Sequence, residues 1–279
     1  MTGMTSAIRL LGVCAVIFVA ACDRVASVSS VDVETLSAEE IYQAGERAMQ
    51  IRGNDTAATY FGEIERLFPY SDWASRGLVM QAYAYHKGKN YDDSRSAAQR
   101  YLTFYPTLED ADWAQYLVAL SYYDQIYDVG RDQALTINAL QELRKVIETY
   151  PESEYADEAR PRFDLAFDHL AAKEMEVGRF YLAKQEYVAA INRFRTVVED
   201  FQTTRHTPEA LYRLVEAYVA LGLNGEAQAA AAILETDFAD NEWYADALVL
   251  LGQQGLAAEG NGSGWLARIY RQTISGDWL

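Results

Sequence analysis

Apolar residues recur at helical spacing in a series of separate segments, and most of these segments end on an aromatic residue next to a helix breaker. Phe68-Pro69, Tyr105-Pro106 and Tyr150-Pro151 close three of them, and Phe201-Gln202 repeats the ending without the proline. Counting back from these endings gives a self-similar register of about 34 residues, the period of paired antiparallel helices that bury their apolar faces by stacking on neighbours. The first register begins at Ala38 and puts Gly45 in helix A, then Ala57 and Phe61 in helix B. The second begins at Ser75, with Ala82 and Tyr85 followed by Ala98 and Tyr101. The third begins near Asp110 with Trp113, Leu117 and Leu120, but Ala139, Leu143 and Pro151 arrive late, which predicts an insertion over 128–136. In the fourth, near Ala171, Gly178, Tyr181, Ala190 and Phe194 fall in place, and helix A extends back to about Tyr155. The fifth runs from Pro208 through Val215, Tyr218, Ala227 and Ala231.

The recurring small residues have a packing reason. Two helices approach closely only where one side chain is Gly or Ala, and an opposing aromatic ring then fills the groove. The pattern predicts an all-α tetratricopeptide-repeat solenoid of about five helix pairs, divided into halves at 37–153 (repeats one to three) and 154–240 (repeats four and five). A further amphipathic helix over 242–255 is expected to cap the array. Gly260-Asn261-Gly262-Ser263-Gly264 then reads as a flexible linker to a short tail, so 241–279 is expected to be cap and tail.

The amino-terminal pattern differs. Arg9 precedes an unbroken apolar stretch over 10–21, which suits a signal peptide and falls short of the roughly 20 residues needed to span a bilayer. It ends in Val19-Ala20-Ala21-Cys22, which resembles a lipobox, so residues 1–21 are expected to be removed and Cys22 to carry diacylglycerol and an N-acyl chain. The plainer alternative is an ordinary cleavage site with an incidental cysteine. The Ser/Val/Asp-rich stretch over 22–36 lacks helical periodicity and reads as a lipidated tether. Outer-membrane anchoring on the periplasmic face is the expectation, although Asp23 resembles an inner-membrane retention signal of enteric bacteria.

Composition narrows the chemistry. With 41 acidic against 24 basic residues and a formal charge of −17, duplex nucleic acid is excluded as a partner, since phosphate contacts need clustered Lys and Arg. Cys14 and Cys22 are the two cysteines, so a processed chain has no pair to form a disulfide. His86, His169 and His206 lie in different repeats without ligand spacing, so no metal site and no catalytic constellation is expected. The glycines at 260–264 follow no strand and precede no Lys-Ser/Thr, and acidic pairs such as Glu39-Glu40 and Asp92-Asp93 suit helix starts.

Lipobox, tether and five registers, with extra length in the third and a long helix opening the fourth, together resemble the BamD family of lipoproteins of the outer-membrane β-barrel assembly machinery. The likeness covers about 38–240, with local signatures in Phe68-Pro69-Tyr70-Ser71-Asp72-Trp73-Ala74, Ala98-Gln99-Arg100-Tyr101 and Ala189-Ala190-Ile191-Asn192-Arg193. The resemblance implies that the amino-terminal repeats receive unfolded barrel precursors by their aromatic-ended terminal segments. It also implies that the carboxy-terminal repeats dock on the periplasmic domain of BamA, with Arg193 at that contact, and that other assembly lipoproteins are further partners. Membrane contact is expected through the lipid alone.

Applying the groove-facing positions of tetratricopeptide helix A to this register gives Glu39, Tyr42, Glu46 and Met49, then Arg76, Val79, Tyr83, His86 and Lys87, then Val118 and Tyr122. Tyr42, Met49, Val79, Tyr83, Val118 and Tyr122 would form an apolar, aromatic floor for an extended strand, with Arg76 and Lys87 for its terminal carboxylate. The alternative is that the tyrosines pack between repeats and the cations are solvated. A periplasmic adaptor for cell-wall synthesis or division, and a helical hydrolase acting on peptidoglycan, are the competing functional readings, the second needing a catalytic domain that the pattern does not contain.

Overall fold

The computed structural model describes residues 32–126, 133–259 and 265–266. Cys22, the leader and tether up to residue 31, the glycine-rich stretch over 260–264 and most of the predicted insertion lie outside them. Among the described residues a 3-10 turn (Val33–Thr35) is followed by α1 (Ala38–Gln50), α2 (Asn54–Leu67), α3 (Asp72–Lys87), α4 (Tyr91–Phe104), α5 (Ala111–Tyr123) and α6 (Ala134–Thr149). Then come α7 (Glu154–Ala183), α8 (Tyr187–Asp200), α9 (Thr207–Ala220), α10 (Asn224–Asp237) and α11 (Glu242–Gln253). Odd and even helices alternate as the A and B helices of five tetratricopeptide pairs, and the long opening helix of the fourth pair begins at Glu154. None of them is long and apolar enough to cross a membrane.

The punctuation of the sequence has a local cause. Phe68, Tyr105, Tyr150 and Phe201, the aromatic endings visible in the sequence, are the C-cap residues of α2, α4, α6 and α8, and Phe238 plays the same part for α10. At the other edge, Arg52, Lys89, Gln185 and Gly222 each take a left-handed backbone conformation two residues after an A helix. The next amide then reaches back to close the helix, as from Gly53 to the Ala48 carbonyl at 2.9 Å and from Glu186 to Tyr181 at 3.0 Å. Three of the four are not glycine, so each carries about 1–2 kcal/mol of backbone strain that repeat packing must offset. Ser37 opens α1 with a capping box to Glu40, and Ser153 and Asn241 cap α7 and α11 through their side chains.

The described residues form two compact units, divided between Gly77 and Leu78 within α3. The sequence-derived border at 153/154 lies inside the second. In the first unit α1 packs on α2, burying Ile41, Ala57, Phe61 and Ile64. Gly45 is required there, since a Cβ would lie 2.6 Å from the Phe61 ring. The second unit repeats the device between α7 and α8, where a Cβ on Gly178 would lie 2.5 Å from Phe194. Its remaining helices pack each on the next, and α11 closes the series against α9 and α10 through Ala247 and Leu251.

Candidate functional site

A tripeptide-scale signal recurs at the start of the A helices. Asp72-Trp73-Ala74 opens α3 and Asp112-Trp113-Ala114 opens α5, echoed by Glu154-Tyr155-Ala156 in α7 and Glu242-Trp243-Tyr244 in α11. Each first-turn aromatic meets a tyrosine of the A helix before it. Trp73 lies 5.1 Å from Tyr42, Trp113 5.4 Å from Tyr83, Tyr155 5.4 Å from Tyr116, and Trp243 5.3 Å from Tyr212, centroid to centroid. A cation sits beside every pair: Arg76 at 5.4 Å from Trp73, Lys87 at 5.2 Å from Tyr83, Arg162 at 5.6 Å from Tyr116, and Arg213 at 5.3 Å from both Tyr212 and Trp243.

The four cations are not equivalent. Arg213 is bound to Glu216 at 2.9 Å and approaches Glu209 at 3.4 Å, and Arg162 lies 3.5 Å from Glu158. Their charge is already committed. Arg76 and Lys87 are exposed, and no carboxylate among the described residues forms an ion pair with either. An incoming carboxylate could therefore pair with them over an aromatic surface. Tyr83 and Trp113 are half-buried, as are Tyr42 and Trp73, so each pair keeps an accessible edge.

The predicted groove residues divide between the units. In the first, the Tyr42 ring packs at a tilt against Phe61 at 5.3 Å as well as Trp73, and half-buried Met49 follows two turns along the same face of α1. Glu39 and Glu46 are exposed on that helix. In the second unit, Tyr83 and Lys87 stand together as described. Val79 and Val118, at 2 % and 1 % exposure, belong to a core cluster with Leu78, Ala98, Tyr101 and Leu117. They are not groove floor: Val79 shares a face of α3 with Tyr83, one turn away, and both valines are short enough to be covered in the core against which the longer Tyr83 packs half-buried. Tyr122 faces the Arg95 guanidinium at 4.3 Å; Arg95 also donates to the Ser121 carbonyl at 3.3 Å and pairs with Asp92, so this contact ties α4 to α5. His86 is held against Asp124 at 3.1 Å and edge-on to Tyr91. Trp73 and Trp113 are the site residues absent from the predicted groove; the repeated Asp-Trp-Ala could have pointed to them.

Burial pushes the phenol of Tyr116 well above the ordinary tyrosine range, and its bond to Glu158 Oε2 at 2.8 Å acts in the same direction. Burial likewise raises Tyr155 and Tyr212. Arg193, on α8, donates to Glu174 of α7 at 3.1 Å on an open face. A separate cleft of about 350 Å³ in the second unit is lined by Tyr123, Leu165, Asp168, His169 and Arg205. Among the described residues no group of His, Cys, Asp and Glu side chains is arranged to hold a metal ion.

The outer membrane lipoprotein family YfiO matches residues 34–233. An outer membrane protein assembly factor BamD from Caulobacter vibrioides is 43% identical over 251 residues, 90% of this chain and 82% of that protein. The protein of the same name from Rickettsia prowazekii is 37% identical over 211 residues, 76% of this chain and 84% of its own length. A solved structure of a thermophilic TPR protein from Thermus thermophilus covers 76% of this chain and 100% of its own at 19% identity, with a TM-score of 0.37.

Proposed function

The chain belongs to the BamD family of outer membrane lipoproteins, and from that premise we propose that it is a non-enzymatic scaffold subunit of the outer-membrane protein assembly machinery. Its A helices hold unfolded β-barrel precursors by aromatic-ended carboxy-terminal segments, its fourth and fifth repeats dock the periplasmic domain of BamA, and lipid on Cys22 ties it to the periplasmic face of the outer membrane. Other assembly lipoproteins are further partners, and the bilayer is met through the lipid alone. The observation that carries the precursor reading is the contrast among the cations: two of four aromatic pairs carry one that no carboxylate among the described residues has claimed. A precursor's terminal aromatic ring would lie against Tyr83 and Trp113, or Tyr42 and Trp73, with its carboxylate on Lys87 or Arg76.

Fluorescence anisotropy with a labelled aromatic-ended carboxy-terminal peptide tests this. A Tyr83→Ala/Trp113→Ala variant should bind at least about tenfold more weakly, as should a peptide with its carboxylate amidated. Full affinity in a folded double variant would remove the second-unit pair from the site. Lipidation is checked separately by incorporation of labelled fatty acid, which should be lost on Cys22→Ser.

A further inference from the structure

Beyond α11 the chain returns to the fifth repeat. Leu256 and Ala258 lie half-buried against the carboxy-terminal core, and Gln228 of α10 donates to the Ala257 carbonyl at 2.9 Å. Leu266 has no exposed surface and belongs to the same core, among residues of α7 through α11. Beside it, the Trp265 indole donates from Nε1 to Tyr218 Oη at 3.0 Å, and the Arg195 guanidinium lies 4.8 Å from the ring centroid. Arg195 is itself fixed by Glu199 at 2.8 Å, and Tyr218 is almost wholly buried. Arg195 of α8 and Tyr218 of α9 thus line the recess that the segment fills.

These are the contacts a peptide makes with a receptor: a ring beside a cation with its one polar atom bonded, and a neighbouring aliphatic side chain sealed in an apolar hole. We propose that Trp265-Leu266 is an intramolecular ligand for a peptide-binding recess on α8 and α9, displaceable by an external segment that presents an aromatic residue followed by an aliphatic one. One hydrogen bond, one cation–π contact and one buried leucine make a weak ligand in trans. Carried on the same chain six residues after Glu259, the same segment acts at an effective concentration on the order of millimolar, which keeps the recess filled at rest. A partner displaces it only when its concentration divided by its Kd exceeds the same ratio for the tethered segment, so Trp265-Leu266 sets a threshold for entry.

The test compares the full chain with one ending at Glu259, using a fluorescein-labelled peptide of residues 262–268. The shortened chain should bind at least about tenfold more tightly than the full chain, whose recess is occupied in cis. Tyr218→Phe in the shortened chain, which removes only the acceptor of the indole bond, should weaken it by about fivefold. Equal affinity in the two chains, or no saturable binding to a shortened chain that still melts cooperatively, overturns the proposal. Should the shortened chain lose its cooperative melt, Trp265→Ala in the full chain, which retains Leu266, takes its place. That variant should bind the peptide at least about threefold more tightly than the unaltered chain, and equal affinity again overturns the proposal. The precursor reading does not enter this comparison, and neither depends on the other's result.

Discussion

Two neighbouring aromatic pairs in the second unit share one design and differ in availability. Tyr83 and Trp113, between α3 and α5, are half-buried, and the cation beside them is an exposed Lys87 without an ion-pair partner among the described residues. Tyr116 and Tyr155, between α5 and α7, have the same centroid separation, but Tyr116 is 3 % exposed, its hydroxyl is bonded to Glu158, and its cation Arg162 lies near that carboxylate. The first pair can offer a ring face and a charge to something else. The second has spent both on the fold. A tyrosine beside a cation is therefore a site only when neither its hydroxyl nor its cation is claimed from within, and the same spacing in sequence yields a strut or a binding surface according to burial.

Removing the strut should have the largest effect on stability. Tyr116→Ala leaves a cavity between α5 and α7 and removes the hydroxyl bonded to Glu158, so it should cost roughly 3–5 kcal/mol, read as a drop in the denaturant midpoint. Tyr83→Ala, at the open pair, should cost only about 1–2 kcal/mol, while peptide affinity falls about tenfold. Were the two variants to lose stability equally, the distinction between strut and surface would collapse.

The repeats were legible because their signals are local. Gly45 and Gly178 stand out because only glycine leaves room for Phe61 and Phe194, and the C-cap aromatics announce themselves beside prolines. The site was half legible. Tyr42, Met49, Arg76, Tyr83 and Lys87 are placed where a ligand could reach them, whereas Val79 and Val118 are core, since a groove-facing rule says nothing about how deeply a neighbouring helix covers each position. Which cation is claimed follows from carboxylates on its own helix, Glu158 four residues before Arg162, and Glu209 and Glu216 four before and three after Arg213, a spacing that the groove-facing rule does not take into account.

A smaller effect is expected at Arg193. The resemblance implies a partner contact there, and a charge buried in an interface would be costly to lose, but in the free chain Arg193 is paired with Glu174 on an open surface. Such pairs contribute about 0.2–1 kcal/mol, so Arg193→Ala should melt within about 1 kcal/mol of the unaltered chain. Arg193→Glu is the poorer test, because it sets two carboxylates together and adds repulsion of its own. Capture of the BamA periplasmic domain should fall with Arg193→Ala and persist with Glu174→Gln, which frees the guanidinium. Unchanged capture by Arg193→Ala would take it out of the contact.

The smallest effect concerns pH. His206, the residue before α9, has its imidazole largely enclosed, with Nε2 3.5 Å from Asp168 Oδ2, while Arg205 takes the same carboxylate at 3.0 Å. Burial pulls its pKa below the ordinary 6.5; Asp168 and Glu209 resist the shift, and Arg205 and Arg179 reinforce it. The unfolded chain therefore takes up this proton first as pH falls. Stability from neutral His206 is complete above the ordinary histidine pKa and is lost as the solution is acidified through it toward the lower folded value. Urea melts at pH 7.5 and 5.5 should show a fall in stability that His206→Gln reduces, with His86 and His169 retained in both chains as controls. Replacing Asp168 with Asn removes the main attraction opposing the shift, so it should steepen the same fall. Slopes that are identical with and without His206 would mean that the enclosed imidazole titrates as it does in the open chain, and that burial at the entrance to α9 leaves no mark on the pH dependence of folding.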